Sequence, residues 1–342
     1  MNPRDPFPQF DRRAFFRHST ASALALTAAG SLAKTQVHAA ARDPFAYDVS
    51  RYRKVDPALI KFERVAQWRS PQPGARRLAL DAAGRIYLAT TSGVCVLGPD
   101  GTSQLHLPTP VAVRGVAVTE DGSLLVALRD HVRHYHASGK LRTAWDALPE
   151  KPFLSSLIVT AKAVFVADSG NRVVHHYDRD GTWRGQIGKR DPARNIPGLV
   201  LPSPFLDVAM GPDGLLRVNN SGRHRVEYYT PDGHLELSWG RASIAIDGFC
   251  GCCNPVGLAM LPDGRHLTCE KGLPRVKVYN AEGQFESVVA APDFFQDIGM
   301  EESMMAADQT AFGGLDAAVD AAGKVFILEL ATGTIHVMRE KT

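Results

Sequence analysis

Hydrophobic residues along the chain fall into short runs, arranged in pairs about a turn that usually contains glycine. Leu78-Ala-Leu-Asp-Ala-Ala-Gly84-Arg-Ile-Tyr-Leu-Ala89 is followed by Val116-Ala-Val-Thr-Glu-Asp-Gly122-Ser-Leu-Leu-Val-Ala127. Similar pairs surround Gly214, Gly264 and Gly323, and a sixth has Lys162 at the turn. Runs this short suit strands better than helices, and a glycine that supplies positive φ between them is hairpin chemistry. A second turn follows most pairs, as at Pro99-Asp100-Gly101, Ser138-Gly139, Pro231-Asp232-Gly233 and Glu282-Gly283. Each unit therefore predicts four strands.

The six turn positions, 84, 122, 162, 214, 264 and 323, recur at a propeller-blade period, with the excess length in loops. An all-β, six-bladed β-propeller with four-stranded antiparallel blades is expected over residues 75–342. The last unit shows only three strands. Phe62-Glu-Arg-Val-Ala-Gln-Trp68, in the 42–74 segment, is expected to supply the fourth and close the ring.

Val164-Phe-Val-Ala-Asp-Ser-Gly-Asn-Arg-Val-Val-His-His-Tyr-Asp-Arg-Asp-Gly181 resembles an NHL repeat. Asn220-Ser-Gly-Arg-His-Arg-Val-Glu-Tyr-Tyr and Lys271-Gly-Leu-Pro-Arg-Val-Lys-Val-Tyr echo it. Gly-Cys-Cys-Asn-Pro255 with Glu270-Lys-Gly-Leu-Pro is similar to a secreted bacterial subset of NHL-repeat proteins. The resemblance implies the six-bladed fold and no particular activity.

The first 41 residues read as a leader. Arg12-Arg13-Ala-Phe-Phe-Arg17 precedes a weakly apolar run, Ala21 to Ala33, and a small-x-small site at Val37-His38-Ala39. The pair resembles a twin-arginine signal, with Asp11, Phe16 and Arg17 departing from the usual form. The mature protein is expected in the periplasm, off the membrane once the signal is cleaved, because no other apolar run approaches the length of a span. Cleavage removes five of 39 Lys/Arg and two of 36 Asp/Glu, leaving 34 of each. That balance, with no basic run, argues against nucleic acid as a partner.

Candidate chemistry concentrates in four cysteines, Cys250, Cys252, Cys253 and Cys269; Cys95 sits in an apolar strand as a small hydrophobe. Pairing about the turn at Asp263-Gly264 sets Cys269 opposite Gly257 and returns it to the face of the 250–253 loop. Four gathered thiolates suit an iron–sulfur cluster or a soft ion such as Zn or Cu. In an oxidising compartment the same four can form two disulfides, one of them vicinal at Cys252-Cys253, or stay as reactive thiols.

The ends of the second strands in blades three to six align Asp168, Asn220, Glu270 and Glu329, with Thr90 and Leu128 in the first two blades. These four are candidates for an acidic channel rim that binds a hard cation or a substrate, and related six-bladed lactonases and lyases hold metals at the centre of that face. The alternative is that each caps its own turn. No Gly-x-Ser-x-Gly elbow, His-Glu-x-x-His or phosphate-cradling loop is present. Three readings follow: a cysteine-based metal or thiol redox site at the channel mouth, a disulfide-braced scaffold for a protein or small ligand on the channel face, or a hydrolase or lyase using the rim. Residues 290–312, rich in Phe and Met, are expected to cover the channel mouth or pack beneath the cysteine loop.

Overall fold

The computed structural model describes residues 50–295 and 314–341, within the unit Asp48–Thr342. The leader and most of the 290–312 connection lie outside the described residues.

Among the described residues, twenty-four strands form six separate four-stranded sheets. Strand β1 (Phe62–Arg69) comes first in the chain and belongs to the last blade. Blade one holds β2 (Arg77–Leu80), β3 (Ile86–Ala89), β4 (Gly93–Leu97) and β5 (Ser103–Pro108), and blade two β6 (Gly115–Val118), β7 (Leu124–Ala127), β8 (Val132–Tyr135) and β9 (Leu141–Ala144). Blade three holds β10 (Leu154–Val159), β11 (Ala163–Asp168), β12 (Val173–Asp178) and β13 (Trp183–Ile187). Blade four holds β14 (Val208–Met210), β15 (Leu216–Asn220), β16 (Arg225–Tyr229) and β17 (Leu235–Trp239). Blade five holds β18 (Gly257–Met260), β19 (His266–Glu270), β20 (Arg275–Tyr279) and β21 (Phe285–Ala290), and blade six β22 (Leu315–Val319), β23 (Val325–Glu329) and β24 (Thr334–Glu340).

All pairings within blades are antiparallel, and the ring closes as expected, with β1 paired on β24 from Phe62↔Glu340 to Arg69↔Thr334 across a one-residue register shift between Arg64 and Ala66. Closure hides the edge that β24 would otherwise expose. Burial follows position in the blade. Second strands such as β3, β7 and β11 are buried along their whole length, because neighbouring blades cover both faces. That is why they read as continuous apolar runs, while outer β9 is exposed throughout.

Adjacent blades lock through a repeated aromatic contact. Trp68, Trp145 and Trp239, each at the end of an outer strand, lie against Gly101, Gly181 and Gly283 of the next blade's outer turn. Those glycines have φ of +82°, +96° and +79°, and any Cβ there would run into the indole. The position demands glycine twice over, for its backbone and for its missing side chain.

Candidate functional site

The innermost strand of each blade is an edge, so its outward N–H and C=O groups need partners along the central channel. At the end where these strands begin, a buried charged cluster supplies them. Arg77 Nη1 binds Asp207 at 2.8 Å and Asp316 at 2.6 Å, reaching across from blade one to blades four and six. Its other nitrogens donate to the carbonyls of Ser155 (2.8 Å) and Leu206 (3.4 Å). The carboxylates in turn accept backbone N–H groups of Leu78, Val208 and Leu258, and Ser156 donates to Asp207. Every blade but the second is tied in. Arg77 separates a channel cavity of about 340 Å³, walled by the inner strands, from a depression of about 40 Å³ shared by Phe153, Ser155, Pro204 and Phe205. With two carboxylates on one guanidinium, burial pushes the Asp316 carboxyl up to about 6, Arg77 opposing and Asp207 adding to the rise.

The cysteine loop lies on the same face, and blade five holds it. Arg275 donates to the carbonyls of Ile244, Ala245 and Gly248, Lys277 to those of Ile246 and Gly248, and Tyr279 to that of Asp247. Asn254 bolts the loop to the β19–β20 turn through Cys250 O, Lys271 O and Lys271 N. Burial pulls the Lys277 ammonium down to about 8 despite Glu270 at 2.8 Å.

Cys269 pairs with Gly257, as the turn arithmetic requires. The four-thiol set expected from it is not assembled, however: among the described residues no three His, Cys, Asp or Glu side chains gather as a metal-holding group. Cys269 is fully buried beside Gly257 on the inner ring, where burial and the Asp316 and Asp207 charges push its thiol well up. Cys250 is buried near Glu270, which accepts its backbone N–H at 3.2 Å. The physical reason is local: strand pairing fixes Cys269 toward the ring, while the ion cluster of blade five takes Cys250.

Cys252 and Cys253 remain together, their sulfurs 3.5 Å apart, with Cys252 exposed and Cys253 buried. Burial raises the Cys253 thiol, but the Ser203 hydroxyl and the Lys271 ammonium outweigh it and the net shift is downward. The hydrogen bond to Cys253, with burial, raises its neighbour Cys252. Lys271 also lies 4.8 Å over the Phe205 ring, which borders the depression above Arg77. The pair thus sits beside the channel mouth.

The rim candidates all lie buried at the ends of second strands, and each engages a residue seven positions on, in its own blade. Asp168 meets His175 at 3.2 Å, Asn220 meets Glu227 at 2.9 Å, Glu270 meets Lys277 at 2.8 Å and Glu329 meets His336 at 2.6 Å. Asp168 also accepts from the backbone of Phe153, Gly170 and Asn171, and Asn220 from Val200. Glu270 is clasped by Arg275 at 2.6 Å as well. Sequence reading missed these partners, although a spacing of seven from strand end to strand middle was there to find.

No protein-family model matches the sequence, and no curated protein matches it. Among solved structures the chain is similar to a streptogramin B lyase (13% identity, TM-score 0.52, 79% of this chain and 81% of that one). It is similar too to an inactive virginiamycin B lyase variant from Staphylococcus aureus crystallised with quinupristin (12%, TM-score 0.53, 80% and 83%). The WD40 β-propeller domain of Doa1 aligns as well (9%, TM-score 0.53, 82% and 98%). At such identities the likeness carries the propeller architecture and no reaction.

Proposed function

We propose that the protein is an exported binding propeller, of the NHL type, whose long-loop face carries a dithiol centre at Cys252–Cys253 beside the channel mouth. A protein or small ligand would bind on that face. The observation that carries this reading is the 3.5 Å sulfur pair with Cys252 exposed and Cys253 buried; the Lys271 ammonium nearby favours the Cys253 thiolate. Thiolate character makes Cys253 the nucleophile. Its thiolate attacks a disulfide R–S–S–R′ and expels R′S⁻. The Cys252 thiol, losing its proton to solvent, then attacks the Cys253 sulfur and expels RS⁻, leaving a vicinal disulfide. Two electrons and the Cys252 proton leave the protein, and one external disulfide becomes RS⁻ and R′S⁻, which take up protons from solvent.

An iron–sulfur cluster calls for four thiolates, and the four here are not gathered, so no step runs through one. Two thiolates bound to a tetrahedral soft ion such as Zn or Cu at about 2.3 Å lie about 3.8 Å apart, so the pair alone would fit one edge of such a site. The acidic rim is less favoured because each of its four groups already engages a partner in its own blade.

Mass spectrometry after alkylation tests the reading. Mature protein incubated with oxidised glutathione should lose two thiols together, both in the 250–253 peptide, while Cys95 and Cys269 stay reduced. Cys252→Ser should instead trap glutathione on Cys253. An unreactive pair, or stoichiometric metal by elemental analysis that is lost on Cys252→Ser, would overturn the dithiol couple. Export is checked separately by fractionation with Arg12-Arg13 changed to Lys-Lys.

A further inference from the structure

A second cleft opens between the outer strands of blades two and three, far in the chain from the cysteines. Its volume is about 660 Å³, and Trp145, His175, Tyr177, Trp183 and Gln186 are among the side chains that line it. This is the size range of pockets for small organic ligands.

Three features of the lining point to one ligand chemistry. Trp183 is 53% exposed, an unusual place for the largest apolar side chain, and Trp145 stands 4.7 Å from the Tyr177 ring. Flat aromatic faces in a cleft offer stacking surface. Second, His175 is 2% exposed and leaves a nitrogen without a partner. Its Nε2 faces the Asp168 carboxylate at 3.2 Å and so carries the proton, which leaves Nδ1 as a bare acceptor with no hydrogen-bond donor. Third, the Trp145 indole N–H is buried and donates to nothing, whereas the corresponding Trp239 donates to Tyr228 at 3.0 Å.

Native interiors rarely leave such groups unmatched, and each costs free energy while it stays so. The cleft lacks one donor and one acceptor. A hydroxyl is the group that serves as both. Hydroxyls attached to a ring whose C–H face stacks on indole describe a sugar. The Asp168 carboxylate, behind His175, is spent on His175, Asn171 and three backbone donors, while Asp146 and Asp180, which line the cleft themselves, disfavour an anionic ligand.

We propose that the cleft between blades two and three binds a neutral saccharide of one or two rings, stacked on Trp183, with hydroxyls reaching the His175 imidazole and the Trp145 indole N–H. This site is independent of the dithiol centre.

The test titrates the mature protein with maltose, cellobiose and N,N′-diacetylchitobiose, following tryptophan fluorescence and heat. At least one should bind with a Kd of about 1 mM. Trp183→Ala, an exposed change that leaves the fold intact, should weaken that binding by about tenfold or more. His175→Gln should weaken it by about tenfold; because this variant touches a buried pair, the ¹⁵N shift of His175 Nδ1 in the unaltered protein gives a second readout and should move on binding. Cys252→Ser should bind normally, which separates this site from the thiol reading. No response to any of the three sugars at about 50 mM, far above that Kd, would overturn the proposal, as would binding unchanged by Trp183→Ala.

Discussion

The central charge cluster and the cleft between blades two and three are both buried and polar, yet they differ in how their groups are matched. Around Arg77 the donors and acceptors interlock: one guanidinium, two carboxylates and the edge backbone of blades one, three, four and five. In the cleft, His175 Nδ1 and Trp145 Nε1 meet nothing. Blade six supplies the intermediate case. Glu329 and His336 repeat the Asp168–His175 pair at the same spacing, and His336 Nδ1 is likewise unmatched. There, however, Phe294 lies 4.8 Å from the imidazole and Phe295 6.2 Å, so the ring is covered by aromatic side chains. A strand register common to the blades produces the pair, and what packs over it decides whether it ends in a core or at the floor of a cleft.

The largest effect is expected at the centre. Arg77→Met leaves two buried carboxylates facing each other and the Ser155 carbonyl without its side-chain donor, while the Leu206 carbonyl keeps the Ser155 hydroxyl. Removing one partner of a buried ion cluster costs about 3–5 kcal/mol, and urea denaturation should show a loss of that size. A loss below about 1 kcal/mol, the range of ordinary surface ion pairs, would mean that the cluster does not tie the blades together.

Proton linkage sharpens the same point with a smaller effect. Asp316 keeps its proton in the folded chain up to about pH 6 and releases it near 3.8 when unfolded. Between those values the unfolded state carries fewer protons, so this group makes stability fall as pH rises, by about 3 kcal/mol at most. Asp316→Asn removes the contribution. The stability difference between wild type and this variant should therefore slope with pH from about 4 to 6 and level off above. A flat difference, or one sloping the other way, would show that Asp316 is ionised throughout.

Much of this was legible in the chain, for physical reasons that also mark the limit. Turn glycines and paired apolar runs are local, so the blade count, the closing strand Phe62–Arg69 and the Gly257–Cys269 pairing follow from sequence neighbours. The central cluster does not, because Arg77, Asp207 and Asp316 are separated by more than a hundred residues at each step. Nothing around each of them marks a buried charge. The cysteine spacing showed which backbone positions come near one another; it did not show that Glu270, Arg275 and Lys277 would claim the space at Cys250. Asp168 and Glu329 were visible as a repeated position, but their histidines became partners only once strands two and three were paired.

The finest distinction lies between those two histidines. Asp168 accepts from Phe153, Gly170 and Asn171 in addition to His175, whereas among the described residues the Glu329 carboxylate has only the Thr332 hydroxyl besides His336. Removing His175 leaves a well-supported carboxylate next to a cleft that water can fill. Removing His336 leaves a poorly supported one, and a cavity under Phe294 and Phe295 that only rearrangement can close. His336→Ala should therefore cost about 2–3 kcal/mol and His175→Ala about 1 kcal/mol, measured as shifts in urea midpoint at constant slope. Equal costs would mean that the cleft is as tightly packed as blade six, and its two unmatched nitrogens would then be core groups with no ligand to await.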